Sequence, residues 1–292
     1  MVLPGRLAPA EMFPATRNDL RTLYLDLPSG LRVRATEAGD ESAPPVVLFP
    51  GWGCSTYVFR DNLSSIATAG FRAIAVDLKG HGLSDKPVAA EEYSLESMVR
   101  HVNEISQAIG AERIVVGGLS MGAALAGHVA AAQPDRIRGV ILVSPVGFNG
   151  VSKLWLIEGL TPRIAAPVLP RLAGRWLIRL LLANVGGHLR HYTEEDVEEY
   201  WAPTQFPEFA IAMRHLIHRF EWNSGFPVLR TAPLVIAGTH DRFARPGAHE
   251  QYLRAWPDMR WLEIAGAGHV VIDEAPPLVN QTMIDYLRSL PA

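Results

Sequence analysis

The chain has 292 residues, 48% hydrophobic and 20% charged, with a formal net charge of -3. That length accommodates one large α/β domain with an insertion. A near-neutral balance without a long basic run argues against nucleic acid as a partner, and a single cysteine, Cys54, excludes an intrachain disulfide framework.

The first twenty residues read as a loose arm; they lack the basic start and continuous apolar core of a secretory signal. "RTLYLDL" and "LRVRATEAG", on either side of the turn "PSG", predict an antiparallel hairpin. "PPVVLFPG" is a short continuous apolar run, the mark of a strand buried on both faces. A helix is expected over 56–68, then the strand "FRAIAVDL". Ser94 stands at an N-cap position before a helical pattern over 95–109. The strand "RIVVGG", the Ala-rich helix "MGAALAGHVAAAQP" stopped by Pro134, and the strand "IRGVILVSP" follow.

From 146 to 225 the rhythm breaks, and no buried strand run occurs there. Thr193 opens "TEEDVEEYW" as an N-cap with acids stacked in the first turn, where the helix dipole favours them. Phe209, Met213, Leu216 and Phe220 share one helical face. The stretch "APVLPRLAGRWLIRLLLANVGG" is broken by three arginines and two prolines, which argues against stable membrane insertion. The default location is the cytoplasm. Alternation then resumes with "APLVIAGT", a helix over 247–256, "RWLEIAG" and a last helix over 276–290. The pattern predicts an α/β fold. It has a mostly parallel sheet with helices on both faces, formed by 1–145 and 226–292, and a helical cap, 146–225, inserted after the sixth strand.

"VVGGLSMGAA" places Ser120 in a G-x-S-x-G sequence between a strand and a helix. Gly118 and Gly122 permit a turn so tight that the hydroxyl stands above the carboxyl ends of the strands, at a helix N-terminus. A serine hydroxyl is a weak nucleophile and needs a base held by an acid. His269, on a glycine-rich loop after "RWLEI", and Asp241, after "LVIAG", end their strands at the same sheet edge. The backbone amides of Met121 and of Trp52, in the loop "FPGWGCST", are the expected oxyanion donors. The pattern Gly51-x-Gly53 lacks the third glycine of a dinucleotide site, since Thr56 occupies that place, so no cofactor is expected. The spaced pairs His188/His191 and His215/His218 have no carboxylate set to complete a metal site, and no metal is expected.

These stretches, with "AVDLKGHGLSDKP" and "GAGH", resemble the α/β-hydrolase fold superfamily, in particular its capped group of esterases, lactonases, carbon–carbon hydrolases, epoxide hydrolases and haloalkane dehalogenases. The resemblance runs from about residue 20 to the end. It implies an eight-stranded-type sheet, Ser120 as nucleophile, His269 as base and Asp241 as acid, and a structural role for Asp77, Gly80, His81, Gly82 and Ser84. Many relatives carry histidine where this chain has Pro50, and glycine where it has Ala123. In the epoxide hydrolases and dehalogenases an aspartate attacks from the elbow. Serine suits attack on a carbonyl, so the expected substrate is a small-molecule ester, lactone or related carbonyl compound of apolar, small-to-medium size. The same triad also fits carbon–carbon bond hydrolysis, a lyase or acyl-transfer step, or ligand sensing without turnover. Trp52, Phe148, Trp155, Trp201, Phe206 and Met213 are the pocket candidates. Arg171, Arg175 and Arg179 form a helical stripe, and Cys54 is expected to pack.

Overall fold

The two-residue alternation of the apolar runs builds eight strands: β1 (Arg21–Asp26), β2 (Arg32–Ala38), β3 (Pro45–Phe49), β4 (Arg72–Val76), β5 (Ile114–Leu119), β6 (Ile137–Val143), β7 (Leu234–Gly238) and β8 (Arg260–Ile264). In the computed structural model, which describes residues 5–152, 154, 158–159, 174–243 and 247–291, they form one sheet. Its order is β1-β2-β4-β3-β5-β6-β7-β8. β2 pairs antiparallel with β1 and with β4; the remaining pairs are parallel. Within β3, Val47 and Phe49 enter one core and Val46 and Leu48 the other, as expected for a strand buried on both faces.

Helices cover the two faces. α1 (Leu63–Thr68) and α9 (Pro276–Ser289) bring Leu63, Ile66, Val279 and Met283 to one core. α2 (Leu95–Ala108) and α3 (Met121–Ala132) bring Met98, Val102, Leu125 and Val129 to the other. Between β6 and β7 the described residues contribute α4 (Arg175–Val185), α5 (Glu194–Trp201) and α6 (Pro207–Arg219), and no strand. α7 (Ala248–Ala255) and the short α8 (Val271–Glu274) complete the chain. The expected caps are present. Ser94 Oγ accepts from the Ser97 amide, and Thr193 forms a capping box with Asp196. No described helix is long and apolar enough to cross a membrane.

Two expectations need correction. The helix expected over 56–68 is a 3-10 turn, Thr56–Phe59, followed by α1. Long-range bonds hold the first part: the Thr56 amide donates to Asp77 Oδ1 at 2.7 Å, and Arg34 donates to Thr56 Oγ1 at 2.9 Å. The amino-terminal arm is not loose either. Met12 and Phe13 are buried, Arg34 donates to the Phe13 carbonyl, and the Phe13 amide donates to Glu199 Oε1 of α5 at 2.8 Å. The arm therefore straps the inserted helices to the sheet. A buried charge network joins the same parts. Arg60 pairs with Asp196 of α5 and with Asp273 of α8, each at 2.8 Å, and Tyr57 donates to Asp196.

Glu199 is 6% exposed, and its second oxygen has no hydrogen-bond partner among the described residues. Burial pushes this carboxyl up to about 7. The unfolded chain releases the proton near the ordinary value of about 4.3, so the folded state holds more protons between those limits and stability falls as pH rises through them. Glu199→Gln is expected to leave the melting temperature near pH 3, below both limits, unchanged. At pH 8 it should raise stability by about 3–4 kcal/mol, seen as a flatter plot of melting temperature against pH.

Candidate active site

β5 ends at Leu119 and α3 starts at Met121, so Ser120 alone makes the corner. Its φ is 58°, a left-handed value that costs a residue with a Cβ. The surroundings enforce it: the Ser120 amide donates to the Val143 carbonyl of β6, and its carbonyl accepts from Ala123 and Ala124. The flanking glycines are obligatory. A Cβ on Gly122 would lie 2.1 Å from the Phe49 carbonyl oxygen, and one on Gly118 would lie 2.5 Å from that same oxygen. The Ser120 side chain is thereby raised at the sheet edge with 8% exposure.

β8 lies three strands from β5, roughly 14 Å at the usual strand spacing. The loop after β8 spans that gap by running back over β7, and it does so on small residues, Ala265 to Gly268. Its main chain leaves no room for a side chain at Gly238, where a Cβ would lie 2.3 Å from the Ala267 oxygen. His269 Nε2 then stands 2.8 Å from Ser120 Oγ, and Nδ1 stands 2.8 Å from Asp241 Oδ2. A carboxylate only accepts, so Nδ1 carries the hydrogen, and Nε2 is left to accept from the Ser120 hydroxyl. Asp241 is oriented in turn: its Oδ1 accepts from the Phe243 amide at 2.8 Å, and the Phe243 ring lies 4.8 Å from the imidazole. The Asp241 side chain is 3% exposed. Neighbouring His240 is exposed and packs edge-on against His188, so of the two histidines only His269 meets the serine.

The loop of Gly51 and Trp52 lies directly beside the serine, since a Cβ on Gly51 would sit 3.1 Å from Ser120 Cβ. The Pro50 carbonyl abuts Gly122, where a Cβ would lie 2.6 Å from its oxygen. The Trp52 indole donates from Nε1 to the Met213 carbonyl at 3.0 Å, tying α6 to the loop. Phe206 is half-buried against the same core, with Lys86 Nζ over its ring. Two pocket candidates stand elsewhere. Phe148 is a core residue, ringed by His128, Phe226 and Trp256. Trp201 packs with Ile178, Leu182 and Val197, its ring overlain by Arg6 and Arg175. Both are buried in hydrophobic clusters, and bulk apolar character does not distinguish a core position from a pocket wall. Trp155 and Arg171 lie outside the described residues.

Arg175 and Arg179 pair with Glu198 and Glu194 of α5, so this part of the stripe joins two helices. Asp77 is a scaffold, bonded by the amides of Thr56 and Leu83 and by Arg34. His81 is fully buried beside the Lys79 carbonyl, and burial pushes its imidazole down to about 4. Burial pushes the Cys54 thiol up to about 12, which leaves it unreactive. Tyr200 donates to Asp273 Oδ2 at 3.2 Å. Among the described residues no group of three or more His, Cys, Asp or Glu is placed to hold a metal ion. One contact was invisible in the sequence pattern. Glu274, in α8, accepts from the amides of Gly187 and Gly268 at 2.8 Å each.

Comparison with known proteins agrees with this architecture. The profile of the alpha/beta hydrolase fold family matches residues 44–276. The chain belongs to that family and is an enzyme of the hydrolase class. It is 26% identical over 274 residues to the AB hydrolase superfamily protein YfhM of Bacillus subtilis, covering 89% of this chain and 96% of that one. It is 35% identical over 309 residues to bifunctional epoxide hydrolase 2 of Sus scrofa, covering 91% of this chain but 55% of the relative. The chain thus spans about half the length of that larger protein. The crystal structure of epoxide hydrolase A from Mycobacterium thermoresistibile shares the fold with a TM-score of 0.75 at 23% identity, over 93% of this chain and 99% of that one.

Proposed function

We propose that this chain is a serine hydrolase that cleaves a carboxylic ester or lactone of an apolar, small-to-medium substrate through an acyl-enzyme. The observation that carries the reading is the continuous path from Ser120 Oγ through His269 to Asp241, with 2.8 Å at each link. As Oγ attacks the substrate carbonyl, its proton passes to Nε2, and Asp241 stabilises the resulting imidazolium. The amides of Trp52 and Met121 receive the oxyanion. Collapse expels the alcohol oxygen, which takes the proton back from Nε2. A water deprotonated by the same nitrogen then hydrolyses the Ser120 ester. Residues 146–225 act as the cap over this site, with 1–145 and 226–292 as the body. Trp52, Phe206 and Met213 form the apolar side of the pocket; with Nε1 committed to α6, the indole offers only carbon to substrate.

Relatives named as epoxide hydrolases make ring opening the rival reaction. The chemistry of position 120 weighs against it. Oxygen attack by serine on an epoxide carbon yields an ether, which has no carbonyl for water to attack, whereas a carboxylate nucleophile yields a hydrolysable ester. Mass spectrometry after treatment with a fluorophosphonate is expected to find the adduct on Ser120. p-Nitrophenyl esters of rising chain length should turn over with an optimum at short to medium acyl chains, and styrene oxide should give no diol. An adduct at another residue, or diol formation without ester cleavage, would refute the proposal.

A further inference from the structure

The loop bearing His269 is joined to the inserted helices main chain to main chain. The His269 amide donates to the carbonyl of Val185, the last residue of α4, at 2.8 Å, and the His188 amide donates to the Gly266 carbonyl at 2.9 Å. Between these bonds the two backbones touch. A Cβ on Gly187 would lie 2.3 Å from Gly266 O and 2.4 Å from Gly268 N. Glu274 is buried beneath this contact. One of its oxygens accepts from the Gly187 amide of the insertion, the other from the Gly268 amide of the histidine loop, each at 2.8 Å.

We infer that Glu274 is a positioning residue that sets His269 against Ser120 by bolting residues 186–188 of the insertion to residues 266–269; this rests on the triad reading above. The histidine loop offers little side-chain packing of its own, since the four residues before His269 are Ala, Gly, Ala and Gly. Its place over the sheet edge therefore depends on main-chain hydrogen bonds, and two converge on one carboxylate. The two side-chain oxygens each take one N–H. A neutral amide at 274 keeps one acceptor and turns N–H groups toward the other N–H donor, so one side of the seam opens. The base's alignment is in this way linked to the seating of the insertion.

Glu274→Gln and Gly187→Ala perturb the seam from its two sides. Tyr286→Phe, which removes a hydroxyl bonded to Val140 and Ala232, is the control for stability alone. Both seam variants are expected to lower kcat on the best p-nitrophenyl ester by about 10- to 100-fold, with KM nearly constant. Phosphonylation of Ser120 should slow by the same factor. The low-field proton resonance of the His269 Nδ1–H should broaden or vanish. Tyr286→Phe should melt lower yet keep all three properties. Should Gly187→Ala fail to fold, Glu274→Gln decides alone. A Glu274→Gln enzyme that melts lower but keeps wild-type kcat and resonance would reduce Glu274 to a structural role and overturn the inference. Ester hydrolysis surviving in Ser120→Ala would instead bring down the triad reading, and this inference with it.

Discussion

Ser120→Ala is expected to lower kcat/KM for the best ester by about 10⁴- to 10⁶-fold. The residue supplies the only oxygen bonded to His269 Nε2 among the described residues, and without it the imidazole has no nucleophile to deprotonate. Folding should survive, because the bond that fixes the corner runs from the main-chain amide of residue 120 to Val143. The left-handed φ of 58° adds a second, opposite expectation. Ser120→Gly should be as inactive as the alanine variant but melt higher, because glycine adopts that φ without strain. Steady-state kinetics with thermal melting reads both effects. Activity within about a hundredfold of wild type in either variant, a loss well below that expected range, would remove Ser120 from the chemistry.

Asp241→Asn should cost about 10⁴-fold in kcat while scarcely moving KM. Phe243 sets the outcome, because its amide already donates to Asp241 Oδ1. An asparagine that keeps the Phe243 bond gives that amide its single carbonyl oxygen, which points its N–H group at His269 Nδ1. Nδ1 then becomes the acceptor, and the ring proton moves to Nε2. In that tautomer Nε2 faces Ser120 as a donor and takes no proton from it. Pre-steady-state acylation and Ser120 phosphonylation should slow together. A loss of less than about tenfold, a thousandth of the expected effect, would mean that His269 is oriented by something other than this carboxylate.

Much of this was legible in the sequence because its causes are local. A buried parallel strand shows as a continuous apolar run, as in "VVLF". A corner tight enough for Ser120 shows as glycines two residues on either side; Asp241 follows such a run, and His269 follows the edge strand "RWLEI". What escaped notice is held by contacts between distant segments. Phe13 meets Glu199 across 186 positions and Arg60 meets Asp273 across 213, and neither pair leaves a periodic trace. Glu274 binds two main-chain amides, partners that every sequence has. For Phe148 and Trp201 residue type alone does not decide, because burial in a core and burial in a pocket wall require the same side chains. The break in strand rhythm after β6 revealed an insertion, but not that its loop at Gly187 would rest on the loop of the base.

Ser120, Asp241 and His269 follow β5, β7 and β8, with β6 between the first two, while the hairpin of β1 and β2 forms the opposite margin. On the proposed mechanism, catalytic output is a gauge of four adjoining strands and is insensitive to fraying at the far border. Tyr24, on β1 and half-exposed, samples that border. Denaturant curves followed by turnover and by the emission of a thiol-linked dye at that position (Tyr24→Cys with Cys54→Ala) would superimpose if the sheet melts as one cooperative unit. They would separate if the hairpin margin lets go first.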